Sequence, residues 1–282
     1  MDLLQQTIKF CQLNHIKPVR SRGQNFLIEE KIYEKIMQVA NLRATDIVLE
    51  VGPGLGYLTL MMAHKAKEII AVELDDKLAD HLQSILKEQG INKVKIINEN
   101  ILNFNDQILN SVHKYKVVAN LPYNITSRFL RKFLSEIKNK PEEMILMLQR
   151  EVAERLVALP GDMSLLSLSA QYYADVKNLF DVSHNNFWPK PKVDSAVVIL
   201  KIRRHSGTNI KSEKNIFTLA HAGFASKRKQ LQGNLAKYLQ VSSTEIKSIF
   251  KTVGFSERIR AQELSVENWK KLEIYLRKYL KD

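Results

Sequence analysis

The residues best suited to chemistry in this chain are Asn120-Leu121-Pro122-Tyr123, which follow the short apolar run Val117-Val118-Ala119 and precede Thr126-Ser127-Arg128-Phe129-Leu130. The run before them reads as a strand and the segment after them as a helix start. An Asn, a backbone stiffened by Pro and an aromatic ring at the end of a strand suit the grip of an exocyclic amino group on a flat heterocycle. The Asn120 amide oxygen and the Leu121 carbonyl can both accept hydrogen bonds from an –NH2, and Tyr123 offers a face on which the ring can stack. Asn and Pro are also ordinary turn residues, so the same four would serve a plain strand-to-turn junction.

A second candidate site is Glu50-Val51-Gly52-Pro53-Gly54-Leu55-Gly56, which joins a strand-like run, Asp46 to Val51, to a helical period from Tyr57 to Ala66. Glycines in such a turn let the backbone approach a ligand closely, with a helix N-terminus behind it. The spacing is Gly-x-Gly-x-Gly rather than the Gly-x-Gly-x-x-Gly of dinucleotide enzymes. Glu73 closes the next strand, 21 residues after Gly52, where an acidic side chain grips ribose hydroxyls. A nucleoside cofactor without pyrophosphate therefore fits as well as NAD does. S-adenosyl-L-methionine is such a cofactor, and a methyl donor is what an amino-gripping motif requires. A tight turn in an α/β protein with no ligand would look similar.

These motifs need a scaffold, and residues 46–149 supply one by alternating strand-like runs with helical periods. Strands are expected at 46–51, 68–73, 94–97, 116–119 and 143–148, with helices at 57–66 and 76–89, the latter closed by Gly90. This rhythm argues a parallel, doubly wound sheet. Runs at 176–182 and 195–202 have no helix between them and are expected to form an antiparallel hairpin at one sheet edge, its connection carrying Phe187-Trp188-Pro189. The polar stretch Arg203 to Asn209 is the best domain boundary, giving residues 1–204 and 205–282. Beyond it only helical periods occur, at 216–225, 228–239, 244–253 and 266–280, and Ser242-Ser243-Thr244-Glu245 reads as a capping box.

Charge is spread unevenly over the 282 residues. The formal excess is +13, yet residues 205–282 alone hold 15 Lys/Arg against 7 Asp/Glu. A basic terminal module points to a polyanion, most often nucleic acid. Cys11 is the single cysteine, which rules out an intramolecular disulfide and a Cys-based zinc site. The histidines show no ligand-like spacing, so no metal is assigned. The first ten residues lack the apolar core of a signal peptide, and no apolar stretch has the length of a membrane span. A cytoplasmic monomer with no membrane partner is the expectation.

From about residue 17 to the end, the ordered motifs resemble the small-subunit (16S-type) rRNA adenine N6,N6-dimethyltransferase family, the bacterial dimethyladenosine transferases. Gly23-Gln24-Asn25-Phe26-Leu27 is similar to the family's N-terminal segment, and the likeness implies cofactor contact by Asn25 and Leu27. Gly52 and Glu73 match the turn glycine and the ribose-binding acid, with Gly54 in the same cofactor-binding turn. Asn120-Leu-Pro-Tyr123 matches the catalytic motif, Asn120 also lying close to the cofactor's sulfonium end. Met147 to Ala153 resembles the run that follows, and Phe187-Trp-Pro-Lys-Pro-Lys-Val-Asp-Ser-Ala-Val197 is the most specific stretch, implying Phe187 as a second aromatic wall opposite Tyr123. Phe224 to Leu231, with Lys227, Arg228 and Lys229, resembles the basic C-terminal segment and implies contact with rRNA phosphates.

The family likeness implies a Rossmann-like class I S-adenosylmethionine-dependent methyltransferase sheet with a smaller helical C-terminal domain. It implies dimethylation of two adjacent adenines near the 3' end of small-subunit rRNA, within a small ribosomal subunit or its precursor. Three departures stand out. Asn100 occupies the position of an Asp that usually accepts a hydrogen bond from the cofactor's adenine amino group; Asn can still accept through its amide oxygen, without the charge. Arg22 replaces an apolar residue, and Met163 to Ser167 lacks the family's Tyr. A nicotinamide oxidoreductase would share the sheet and Glu73 but leaves Asn120–Tyr123 and the basic tail without a role. A non-catalytic ribosome-assembly or transcription factor would share the fold, and a resistance-type methyltransferase of large-subunit rRNA would share the catalytic motif.

Overall fold

Runs rich in Val, Ile and Leu, such as Ile47-Val-Leu-Glu-Val51 and Glu68-Ile-Ile-Ala-Val-Glu73, bury almost every side chain. That pattern belongs to strands covered on both faces, as in a parallel sheet flanked by helices. The structure is a computed structural model and describes residues 2–18, 23–110, 112, 114–203, 210–226 and 228–280. It divides into two compact units, Met1–Ala153 with Ala174–Arg203, and Glu154–Tyr173 with Arg204–Asp282.

The first unit begins with α1 (Leu3–Leu13), β1 (Phe26–Leu27) and α2 (Glu30–Ala40). There follow β2 (Ile47–Val51), α3 (Tyr57–Ala63), β3 (Glu68–Glu73), α4 (Asp76–Glu88) and β4 (Val94–Asn98). The short α5 (Gln107–Asn110), β5 (Lys116–Asn120), α6 (Thr126–Arg131) and β6 (Glu143–Gln149) come next. The chain passes through α7 (Arg150–Leu156) and α8 (Leu165–Tyr173) before β7 (Ala174–Val182), β8 (Phe187–Trp188) and β9 (Ser195–Ile202).

Seven strands form one sheet in the order β4-β3-β2-β5-β6-β9-β7. The first five are mutually parallel, while β9 is antiparallel to both β6 and β7. The expected edge hairpin is therefore present, with β9 inside and β7 at the rim. The chain runs outward from β2 through β3 to β4 and then returns to β5 on the other side of β2, which places a topological switch point between β2 and β5. A separate two-stranded ribbon, β1 with β8, pairs Phe26 with Trp188 and Leu27 with Phe187; the Trp188-Pro189 bond is cis. A smaller apolar cluster of Cys11, Ile16, Phe26, Leu55 and Leu78 ties α1 to the Gly-rich turn.

The second unit holds α8, α9 (Ile210–Phe224), α10 (Leu231–Leu239), α11 (Ser243–Val253) and α12 (Val266–Leu276). Trp269 is fully buried there, and a Cβ on Gly223 would lie 2.6 Å from its ring, so the close approach of α9 and α12 requires that glycine. Glu273, also buried, accepts hydrogen bonds from Ser212 Oγ at 3.0 Å and Asn215 Nδ2 at 2.9 Å. The sequence boundary at 204 leaves α8 with the sheet, whereas the structure groups residues 154–173 with the C-terminal helices. Ser242 caps α11 by accepting from Glu245 N, but the Glu245 carboxylate accepts a hydrogen bond from the Tyr279 hydroxyl instead of closing a capping box.

Candidate active site

At the carboxyl end of β2 the chain turns through Gly52, whose φ of +68° is a left-handed conformation that favours glycine. A Cβ built there would meet only the Asn120 carbonyl oxygen, at 3.9 Å, so the turn leaves open space beside the end of β5. The Glu73 carboxylate, at the end of β3, accepts hydrogen bonds from Gly54 N and Asp75 N, each at 3.0 Å. It thus fastens the Gly-rich turn to the neighbouring strand. Burial pushes the Glu73 carboxyl up from its ordinary pKa, against the lowering effect of those two bonds.

Asn120 is the last residue of β5 and pairs with Met147, and Leu121 N donates to Met147 O at 3.0 Å. One extra ladder bond therefore carries the backbone straight past the sheet before Pro122 turns it. Ile125 N donates to Pro122 O at 3.1 Å, closing that turn. Gly23 packs on it: a Cβ at Gly23 would stand 3.1 Å from Pro122 Cβ and 3.4 Å from Tyr123 N, at a φ of +67°. This close approach is the physical need behind the glycine in Gly23-Gln-Asn-Phe-Leu27. The Asn120 amide makes no hydrogen bond to the described residues, which leaves its oxygen free to accept from a ligand.

Tyr123 is anchored by its hydroxyl, 2.8 Å from Ser195 Oγ. Burial raises the phenol's pKa, so the ring stays neutral. Phe187 is only 1% exposed and is fixed by its pairing with Leu27 in the β1–β8 ribbon. The loop between β7 and β9 is organised by Asp194, which accepts from His184 N at 3.0 Å and lies 2.7 Å from His184 Nδ1 and 3.3 Å from Arg150 Nη1. The backbone bond from His184 is the first of the contacts that hold the Asp194 carboxyl below the usual range.

These pieces enclose one cavity of about 280 Å3 within the first unit. Asn25, Leu27, Gly52, Gly54, Glu73, Asn100, Asn120, Leu121, Tyr123 and Phe187 all line it. Asn100 differs from expectation in one respect: its Oδ1 already accepts from Leu102 N at 3.0 Å. Glu50 lines the cavity too; in the sequence it stands only at the head of the Gly-rich motif with no role of its own, although it is the one charged residue inside the apolar run of β2. Its carboxylate accepts from Thr59 Oγ1 at 2.6 Å, and burial pushes its pKa up to about 8, with Glu73 adding to the rise. The carboxyl groups of Glu50 and Glu73, the Asn120 amide and the side-chain-free Gly52 offer hydrogen-bonding partners and room for a polar nucleoside, as S-adenosyl-L-methionine is.

The basic segment belongs to the second unit. Arg228 and Lys229 are exposed and lie in the turn between α9 and α10, not at the expected helix start, because Gln230 takes the N-cap position and α10 begins only at Leu231. Asn234 Nδ2 ties that turn down by donating to Gly223 O at 2.7 Å and Ser226 O at 3.3 Å. Lys227 and Arg22 lie outside the described residues. Among the described residues, no helix is long and apolar enough to cross a membrane.

The family described as ribosomal RNA adenine dimethylase matches residues 17–278. A ribosomal RNA small subunit methyltransferase A from Dehalococcoides mccartyi (strain CBDB1) is 43% identical over 272 residues, covering 96% of this chain and 92% of its own. A protein of the same description from Desulfitobacterium hafniense (strain DSM 10664 / DCB-2) is 40% identical over 256 residues, covering 90% of each. Among solved structures, a dimethyladenosine transferase from Plasmodium falciparum has a TM-score of 0.76 at 24% identity, covering 89% of this chain and 97% of its own. The 23S rRNA methyltransferase ErmE has a TM-score of 0.72 at 24% identity, covering 90% and 100%. Those two structures speak for the fold, a Rossmann-like class I methyltransferase sheet. With a family match across nearly the whole length and relatives at 40% identity and above, the chain belongs to the ribosomal RNA adenine dimethylase family.

Proposed function

We propose that the protein transfers methyl groups from S-adenosyl-L-methionine to N6 of adenine in small-subunit rRNA, giving N6,N6-dimethyladenosine at two adjacent positions near the 3' end during subunit biogenesis. The observation that carries this reading is the cavity at the switch point, which puts Glu73 and the Gly-rich turn beside Asn120-Leu-Pro-Tyr123. The similarity to proteins described as ribosomal RNA small subunit methyltransferase A supports the choice of subunit.

Glu73 would hold the ribose hydroxyls, while Gly52 and Gly54 admit the nucleoside close to the backbone. When bound, the cofactor would supply an electrophilic methyl group on a sulfonium and leave as the neutral thioether S-adenosylhomocysteine, with one N6 proton lost to solvent at each transfer. Adenine N6 is a weak nucleophile because its lone pair is delocalised into the ring. Acceptance of its hydrogens by the Asn120 amide and the Leu121 carbonyl favours a pyramidal nitrogen with the lone pair directed at the methyl carbon. Positioning and preorganised dipoles carry the catalysis. The target base must leave its stack to enter the cavity, and Tyr123 with Phe187 would hold it there. Stacking on an aromatic side chain contributes roughly 1–3 kcal/mol per base. In this reading the sheet-bearing unit performs the chemistry, and Lys227, Arg228 and Lys229 hold rRNA phosphates.

Calorimetry with S-adenosylmethionine and NAD, followed by labelled methyl transfer to small and large subunits lacking the modification, tests the proposal. Binding of the methyl donor and labelling of small subunits are expected. NAD binding with no response to the methyl donor, or labelling of large subunits alone, would contradict it.

A further inference from the structure

Asn100 sits just beyond β4 in a turn that fixes which end of its amide is which. Asn98 Nδ2 and Glu99 N both donate to Glu73 O, at 3.0 and 2.9 Å, and so carry the chain back toward the ribose-side acid. One residue on, Asn100 Oδ1 accepts from Leu102 N at 3.0 Å, and the Asn100 carbonyl accepts from Asn103 N at 2.8 Å. Only the oxygen of an amide can meet a backbone N–H, so the hydrogen-bond network assigns the orientation. The –NH2 is the end left over, and it has no acceptor among the described residues. Lys132 holds the same turn from outside, its Nζ donating to the carbonyls of Ile101, Leu102 and Phe104 at 3.1, 3.0 and 2.8 Å. Flipping the amide would leave the Leu102 N–H facing another donor inside a turn clamped by three further bonds.

We infer that Asn100 presents a hydrogen-bond donor to the base of the bound nucleoside and reads adenine at ring nitrogen N1, an acceptor, instead of at the 6-amino group, a donor. A carboxylate in this turn would spend one oxygen on Leu102 N and offer the second to the amino group. In this chain that second position is occupied by –NH2, which cannot accept. The 6-amino group of the cofactor therefore contributes little to binding, and purines without it are tolerated. This inference rests on the reading that the cavity takes S-adenosylmethionine.

The test compares S-adenosylhomocysteine with its analogue in which hydrogen replaces the 6-amino group, by calorimetry on the wild-type protein and on Asn100→Asp. The wild type is expected to bind the two within about threefold of each other. Asn100→Asp is expected to bind S-adenosylhomocysteine more tightly than the wild type does and to lose about tenfold or more when the amino group is removed. A wild type that itself loses tenfold on removal of the amino group overturns the inference, whatever the variant does. Failure of the wild type to bind either compound overturns the cofactor reading and this inference with it, an outcome distinct from the selective loss.

Discussion

Tyr123 Oη lies 2.8 Å from Ser195 Oγ, a bond that joins the motif after β5 to the first residue of β9. Ser195 is fully buried, so its hydroxyl has a fixed place from which to hold the ring. The stretch Phe187 to Val197 thus reaches the Asn120-Leu-Pro-Tyr123 motif through the Ser195 side chain.

Ser195→Ala should leave the Tyr123 hydroxyl without this partner and let the ring tilt. A stability loss of about 0.5–1.5 kcal/mol is expected, with slower methyl transfer and unchanged affinity for S-adenosylhomocysteine. Thermal unfolding, calorimetry and single-turnover rates separate the three effects. Unaltered transfer would show that the ring needs no anchor.

Glu50 makes stability depend on pH. Its folded pKa of about 8 stands above the ordinary 4.5 because burial disfavours the charge. The folded protein therefore binds this proton more tightly than the unfolded chain does. The associated stability is fully present below the unfolded value and is lost as pH rises toward about 8, with a slope of up to about 1.4 kcal/mol per pH unit. Glu50→Gln keeps an oxygen that can accept from Thr59 but has no proton to lose. Chemical denaturation between about pH 5.5 and 7.5 should show wild-type stability falling relative to the variant. Parallel curves would mean that Glu50 is ionised throughout.

Asn120→Ala removes an acceptor that matters most as N6 changes geometry. Turnover should fall on the order of 10²-fold, as for loss of one preorganised polar group at a reacting centre, while rRNA binding stays near wild type. Filter binding beside a transfer assay at saturating substrate reads both. Wild-type turnover would reduce the motif to a turn.

Replacing Lys227, Arg228 and Lys229 with Ala should have the opposite profile. Association with the small subunit should weaken and its salt dependence flatten, since fewer counterions are released on binding. Cofactor affinity should not change. Normal association across a salt series would make the segment a solvated turn.

The parallel sheet was legible because Val/Ile runs such as 47–51 and 68–73 alternate with helical periods, and the edge hairpin because no helical period separates 182 from 195. The β1–β8 ribbon was not, since a two-residue pairing between Phe26 and Trp188 leaves no periodic trace. Ten expected site residues share one cavity because their motifs sit at strand ends, where a doubly wound sheet brings them together. The individual roles of Glu50, Ser195 and Lys132 were not legible, for a different reason. Each acts through one tertiary partner, Thr59, Tyr123 or the 101–104 turn, and sequence spacing does not encode such pairs.

Incubating unmethylated small subunits with labelled S-adenosylmethionine and then digesting the rRNA to nucleosides reads the proposed function itself. If that function holds, label appears as N6,N6-dimethyladenosine, at two residues per subunit mapping to adjacent adenines near the 3' end. Label confined to N6-monomethyladenosine, to other nucleosides, or absent from small-subunit rRNA would contradict it.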